Sequence, residues 1–149
     1  MHVADLCTRV VQTIEPDATA ADAALKMRET RVGTLVVLDP TRRGLHVAGI
    51  LTDRDLVTRV LASGSSPQAT AVADVMTRSV GVCHARDELF DAIQTMRRLG
   101  VRRLPVLDDA DHLLGIVSTD DIHGALGRFM DALSQGMSRG TLHEAEAFI

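Results

Sequence analysis

Two stretches decide the fold: Gly49-Ile50-Leu51-Thr52-Asp53-Arg54-Asp55-Leu56 and Gly115-Ile116-Val117-Ser118-Thr119-Asp120-Asp121-Ile122. Each reads as an apolar strand running into a helix, with a hydroxyl residue at the junction and an aspartate three residues on. That is the spacing of a helix-capping box, in which side chains satisfy backbone N–H groups that have no partner in the first turn. The offset between the stretches is 115 − 49 = 66. Upstream of residue 40 it becomes 74 − 5 = 69, because the first copy carries three extra loop residues around 40–45. At that offset Asp5 falls on Asp74, Asp22 on Asp91, Met27 on Met96, Val32 on Val101, Leu35 on Leu104 and Asp39 on Asp108. The chain is therefore an internal repeat, and a repeat unit this small needs its neighbour to bury an apolar face.

Each copy predicts the order β-α-β-β-α. A short apolar stretch (10–14; 80–83) leads into an amphipathic helix, whose face is Ala20, Ala23, Ala24 and Met27 in the first copy. The corresponding face in the second is Leu89, Ala92, Ile93 and Met96, at i, i+3, i+4 and i+7. Strands at 32–38 and 101–107 follow, then strands at 47–51 and 113–117, then helices from 53 to 61 and from 119 to about 135. The expected organisation is repeat one at 1–61, a linker at 62–71 marked by Gly64 and Pro67, repeat two at 72–135, and a tail at 136–149. Gly136 is expected to stop the last helix, and Thr141 with Glu144 to cap a short terminal one. The fold class is α/β, two repeats packed with pseudo-twofold symmetry through their sheets.

Composition narrows the function. The chain has 149 residues, 46% of them hydrophobic, and a net charge of −4. A mildly acidic chain offers no overall attraction to nucleic acid or to an anionic membrane. With no Trp or Tyr and only Phe90, Phe129 and Phe148, it has no aromatic platform for stacking bases. Its apolar runs are strand-sized, and its start, with Asp5 and Arg9, does not read as a secretory signal, so a cytoplasmic location is expected. Cys7 and Cys83 read as reduced thiols, Cys83 as buried core. The six histidines show no metal spacing. No nucleophile elbow, phosphate loop or dinucleotide fingerprint is present, so no catalytic residue is assigned.

At this level the sequence resembles the cystathionine β-synthase (CBS) domain family. The strings that carry the resemblance are VADVMTRSV opening the second copy, GVRRLPVLD on its middle strand, and GILTDRDL and GIVSTDDI at the strand-to-helix junctions. It covers residues 3–134. Members pair such repeats into a regulatory module, so the resemblance implies binding of an adenine nucleotide (AMP, ADP or ATP, less readily NAD or S-adenosylmethionine) and no catalysis. It also implies a homodimer packed through its helices and a separate regulated protein, neither nucleic acid nor membrane. The spacing itself leaves two readings open, since Thr52 with Asp55 and Ser118 with Asp121 could simply cap helices, as Thr19 and Asp22 would. A phosphate at a helix N-terminus and a ribose on the carboxylate are the ligand reading.

The family pattern carries over residue by residue. It implies a first cleft of Ile50, Thr52, Arg54 and Asp55, with Thr77, Gly81, Val82, Val101 and Arg102 from the second copy. The second cleft takes Ile116, Ser118, Asp120 and Asp121, with Thr8, Gln12, Thr13, Val32 and Gly33. Arg54 in the first cleft, where the second has Asp120, leads to the expectation that the first is the tighter phosphate site. The alternatives are a partner-binding stress-response scaffold with vestigial clefts, and a sensor of NAD or S-adenosylmethionine.

Overall fold

The computed structural model describes residues 1–147, with side chains described through residue 137. A 3₁₀ turn, Val3–Asp5, precedes β1 (Thr13–Ile14), α1 (Ala20–Thr30), β2 (Thr34–Leu38) and β3 (Val47–Thr52). α2 (Asp53–Asp55) continues directly into a π-helical stretch, Leu56–Leu61. After the linker come α3 (Val72–Val75), β4 (Cys83–His84), α4 (Leu89–Leu99), β5 (Arg103–Leu107), β6 (Leu113–Ser118) and α5 (Thr119–Ala147). The strands form two three-stranded sheets, β1-β2-β3 and β4-β5-β6. In each, the first pair is parallel and the second an antiparallel hairpin. The repeat survives in register: Val36 faces Ile50 in one sheet as Pro105 faces Ile116 in the other.

Each sheet carries its helices over its own apolar cluster, but the clusters are not built from contiguous chain. Ile14, Ala20, Ala23, Met27, Leu35, Val37, Leu51 and Val60 are joined by Val72, Val75 and Met76, from beyond the linker. Cys83, Ala92, Met96, Leu104, Val106, Val117 and Ile122 are joined by Val3 from the N-terminus. The entry segments of the two repeats are exchanged. Val3 and Val72 are fully buried, and their backbones are tied to the other repeat, Val3 N to Asp87 O (2.9 Å) and Val72 N to Ala18 O (2.8 Å).

After its exchanged turn each segment adds one bridge to the outer edge of that sheet, Thr77 to Ile50 and Thr8 to Ile116. This crossing explains the glycine of the repeated motif. A Cβ at Gly49 would lie 2.8 Å from the Thr77 carbonyl oxygen, and one at Gly115 would lie 2.8 Å from that of Thr8. Only glycine lets the backbones come so close. At the hairpin ends the repeats touch again: Leu113 N donates to Leu45 O (2.7 Å), and the equivalent rings of His46 and His112 meet edge to face at 4.8 Å.

Several expectations need correction. Gly136 does not end the last helix; α5 is continuous from Thr119 to Ala147, so the tail begins as helix rather than as a separate element. A stopping glycine takes a positive φ, as Gly100 does at 66° where it closes α4, and Gly136 does not. The side chains of Thr141 and Glu144 lie outside the described ones. Ala24 is exposed, because α1 packs through a narrower stripe of Ala20, Ala23 and Met27. Further along α5 Met130 is 64% exposed, because by this point the helix has run past the sheet.

Two glycines then respond oppositely to the same substitution. Gly49→Ala should destabilise the fold by about 1–3 kcal/mol, since the new methyl must displace the crossing segment. Gly127→Ala, within α5 with nothing within 4 Å of its Cβ, should stabilise by roughly 0.5–1 kcal/mol. Urea unfolding of the two variants beside the parent checks both signs.

Candidate functional site

Both junctions of strand and helix form the capping box that the spacing suggests. Asp55 Oδ2 accepts from Thr52 N (2.9 Å) and Thr52 Oγ1 (2.8 Å), and Thr52 Oγ1 accepts from Asp55 N (3.2 Å). Asp121 Oδ2 accepts from Ser118 N (2.8 Å) and Ser118 Oγ (2.6 Å), with Asp121 N returning to Ser118 Oγ at 3.2 Å. The same arrangement closes α1 at Thr19 and Asp22, where Thr19 holds the Asp22 carboxyl below its usual range through its hydroxyl and its amide. Capping alone therefore does not distinguish the junctions. A bridging segment does not do so either, since Thr19 bridges Ala71. What sets these two apart is a strand running straight into the helix and bridged two residues before its end, Ile50 by Thr77 and Ile116 by Thr8. In both boxes one carboxylate oxygen is used by the cap and the other points elsewhere.

The remaining residues are placed as follows. Of Val32 and Gly33, expected among the second cleft's residues, Gly33 O accepts from Asp53 N (3.1 Å) and Val32 packs on the first core. Val101 and Arg102, expected among the first cleft's residues, border the start of α5. Arg102 O accepts from Thr119 N (2.9 Å), and both line a groove of about 400 Å³ with Ile93, Met96, Ile122 and Leu126. The loop before each middle strand is thus tied to the helix start of its own hairpin.

Gln12 and Thr13 sit at the far end of one crossing segment, on the β1–β2 edge, where Gln12 O accepts from Val36 N and Thr13 O from Lys26 Nζ. Gly81 and Val82 occupy the equivalent place beside β4, where a Cβ on Gly81 would run into Leu99. Arg54 and Asp120 are both exposed at the first turn of their helices.

The charge difference between the clefts changes accordingly. The first has Arg54 and, at the position of Arg102, Gly33 packed against the Asp53 carboxylate, 2.9 Å from where its Cβ would be. The second has Asp120, but keeps Arg102 at its rim. Two further features had no signal in the spacing. Thr34, directly opposite Thr52 in the sheet, has a buried hydroxyl oxygen with no hydrogen-bond partner among the described residues. Arg59, one turn after Asp55, contacts the second oxygen of that carboxylate, Nε to Oδ1 at 3.5 Å. The repeat places Ala125 there in the second copy.

Neither cysteine takes part. Cys83 is 3% exposed, and burial first, then the nearby Asp87 carboxylate, push its thiol up to about 12. Burial also raises Cys7, against the pull of Arg9.

A model of the family described as CBS domain matches residues 3–62 and 72–128. The chain belongs to the CBS domain family. Protein MK0525 of Methanopyrus kandleri is 36% identical to this CBS pair over 122 residues, 82% of this chain and 61% of that protein, so the pair spans less than two thirds of that relative. Hypoxic response protein 1 of Mycobacterium tuberculosis is 30% identical over 139 residues, 90% of this chain and 94% of that one. The crystal structure of Hypoxic Response Protein I holds two coordinated zinc ions and superposes on 83% of this chain and 97% of its own with a TM-score of 0.71. No group of three His, Cys, Asp or Glu side chains is placed to hold a metal among the described residues here. The CBS domain pair of protein MJ0100, solved in complex with 5′-methylthioadenosine and S-adenosyl-L-methionine, matches with a TM-score of 0.73 over 85% of this chain and 96% of that one. At 23% identity it shares the fold.

The thiols provide a direct check on the packing. In the native protein at pH 8, Cys83 should resist alkylation while Cys7 reacts slowly, and both should react once urea unfolds the chain; thiol-labelling mass spectrometry reads this out. Because the folded thiol of Cys83 titrates above the unfolded one, the fold keeps its proton longer. Stability should therefore fall as pH rises from about 9 towards 12, and Cys83→Ala should remove that component.

Proposed function

We propose that this CBS pair is a regulatory module that binds an adenine nucleotide in the clefts between its repeats and passes its level to a separate protein. The observation that carries this reading is the pairing, twice over, of a capped aspartate at the end of a hairpin strand with a crossing segment that bridges that strand. A ribose needs a fixed carboxylate oxygen for its two hydroxyls, and the box fixes the carboxylate while leaving one oxygen for a ligand. Thr52 and Ser118 stand at helix N-termini, where the dipole favours a phosphate, while the first-turn amides of Asp53, Arg54 and Asp55 already donate to Gly33 O, Asp53 Oδ1 and Thr52 Oγ1. The unpartnered Thr34 hydroxyl adds a polar atom at the first cleft that a ligand donor or acceptor would satisfy. Adenosyl compounds are found in the MJ0100 pair, which has the same architecture. AMP, ADP and ATP are preferred over NAD and S-adenosylmethionine because Arg54 and Arg102 each supply a guanidinium near one cleft.

CBS pairs are in general regulatory rather than catalytic modules. Binding acts by a population shift: a ligand that contacts both repeats favours the arrangement that brings those contacts together. The module works as a homodimer. Its groove between α4 and α5 is apolar, and Leu126, Phe129, Met130 and Leu133 continue from it as exposed side chains along α5, a surface suited to a second copy.

Thermal-shift titration with AMP, ADP, ATP, NAD, S-adenosylmethionine and adenosine tests the ligand. A saturating ligand at a hundredfold excess over Kd should stabilise by about 2.7 kcal/mol. The shift should shrink in Asp55→Ala and in Asp121→Ala, and vanish when both are changed. No shift with any of the six in a folded protein would overturn the nucleotide reading in favour of a partner-binding scaffold. Leu126→Glu should convert the dimer to monomer in sedimentation equilibrium.

A further inference from the structure

The two clefts differ in one contact that the repeat does not preserve. Arg59 Nε lies 3.5 Å from Asp55 Oδ1, the carboxylate oxygen the cap leaves over. The same guanidinium donates through Nη1 to the carbonyls of Val75 (2.9 Å) and Met76 (3.3 Å). These carbonyls immediately precede Thr77, whose N–H and C=O both pair with Ile50 (2.8 and 3.0 Å). One side chain thus joins the candidate ribose acceptor of the first cleft to the chain entering the second repeat. In the second cleft Ala125 stands at this position, 2% exposed, and Asp121 Oδ1 has no hydrogen bond or ion pair among the described residues.

We propose that Arg59 is a latch on the first cleft: a ribose engages Asp55 only by displacing the guanidinium, and the displacement reaches the crossing segment through the Val75 and Met76 carbonyls. This rests on the nucleotide reading of the clefts and deepens it, because it makes the clefts unequal by their acceptors rather than by their phosphate contacts. The second cleft offers an open carboxylate and fills first. The first fills at higher ligand concentration and is the one whose occupancy is felt by the junction between repeats. The competing charges around Arg59 are those of its own helix and its surroundings, Asp55 and Asp53 with Arg54, and no acidic side chain forms an ion pair with it other than Asp55 among the described residues.

The contact is long and Arg59 is 46% exposed, so the latch is of the strength of a solvent-accessible pair, and its removal should tighten binding about two- to fivefold. The test uses the full chain carrying Asp121→Ala, which leaves the first cleft, and adenosine as probe, whose diol comes without a charge. Calorimetric affinity is compared with and without Arg59→Met, and with Arg59→Gln, which keeps an N–H donor for the two carbonyls and so guards against a fold defect.

Both substitutions should tighten adenosine binding. With Arg59 present, affinity should also rise towards roughly 1 M salt, where the Debye length falls to about 3 Å, whereas the substituted forms should show no such rise. A merely structural arginine would give neither the tightening nor the altered salt response. If AMP binds the unsubstituted protein but the first cleft is indifferent to Arg59, the latch is wrong and the nucleotide reading stands. If neither AMP nor adenosine binds any form, both are wrong.

Discussion

Thr77 bonded to Ile50, and Thr8 to Ile116, are the contacts on which the remaining architecture depends. Each is a single bridge at the edge of a sheet, yet it sits where a segment leaves one hydrophobic cluster for the other. Val72, Val75 and Met76 are buried in the first repeat's cluster, and Val3 in the second's. Taking either repeat away would remove part of the other's core, so the two fold as one cooperative body rather than as two beads. Gly49 and Gly115 are the condition for this, since any side chain there would occupy the place of the crossing carbonyl.

The candidate clefts follow from that crossing. A helix N-terminus with a capped aspartate is common, and α1 has one as well, with Thr19 bridged to Ala71. At Thr52 and Ser118 the exchanged segment passes alongside, so each junction faces chain from the other repeat. A ligand lodged there touches both repeats at once, which is what a regulatory module needs if occupancy is to alter their relation. The cap takes one oxygen of the carboxylate in each case and leaves the other outside it.

The two repeats have diverged more in their sites than in their cores. The apolar positions match almost one for one, while the polar ones do not: Arg54 against Asp120, Gly33 against Arg102, Thr34 against Arg103, Arg59 against Ala125. Packing tolerates only exchanges of similar volume, whereas rim positions carry no such constraint. The π-helical winding of Leu56–Leu61, in place of the regular α5 of the second copy, belongs to the same divergence, since local π turns gather where a helix serves more than its own packing.

The sequence by itself determined the repeat, the β-α-β-β-α order, the pairing of each hydroxyl with its aspartate, and the apolar faces that bury Met27 and Met96. These are legible because helix and strand periodicity and capping chemistry act over a few residues. Tertiary structure alone decided which loop stands beside which helix start. The Arg102 carbonyl is held by the Thr119 amide, a contact that fixes the loop before β5 to the start of α5. It also decided that α5 runs through Gly136, and that Arg59 reaches two carbonyls beyond the linker. Contacts between residues far apart in the chain leave no periodic trace. A glycine or an arginine has the same spelling whether it ends a helix, opens a crossing or holds a carboxylate.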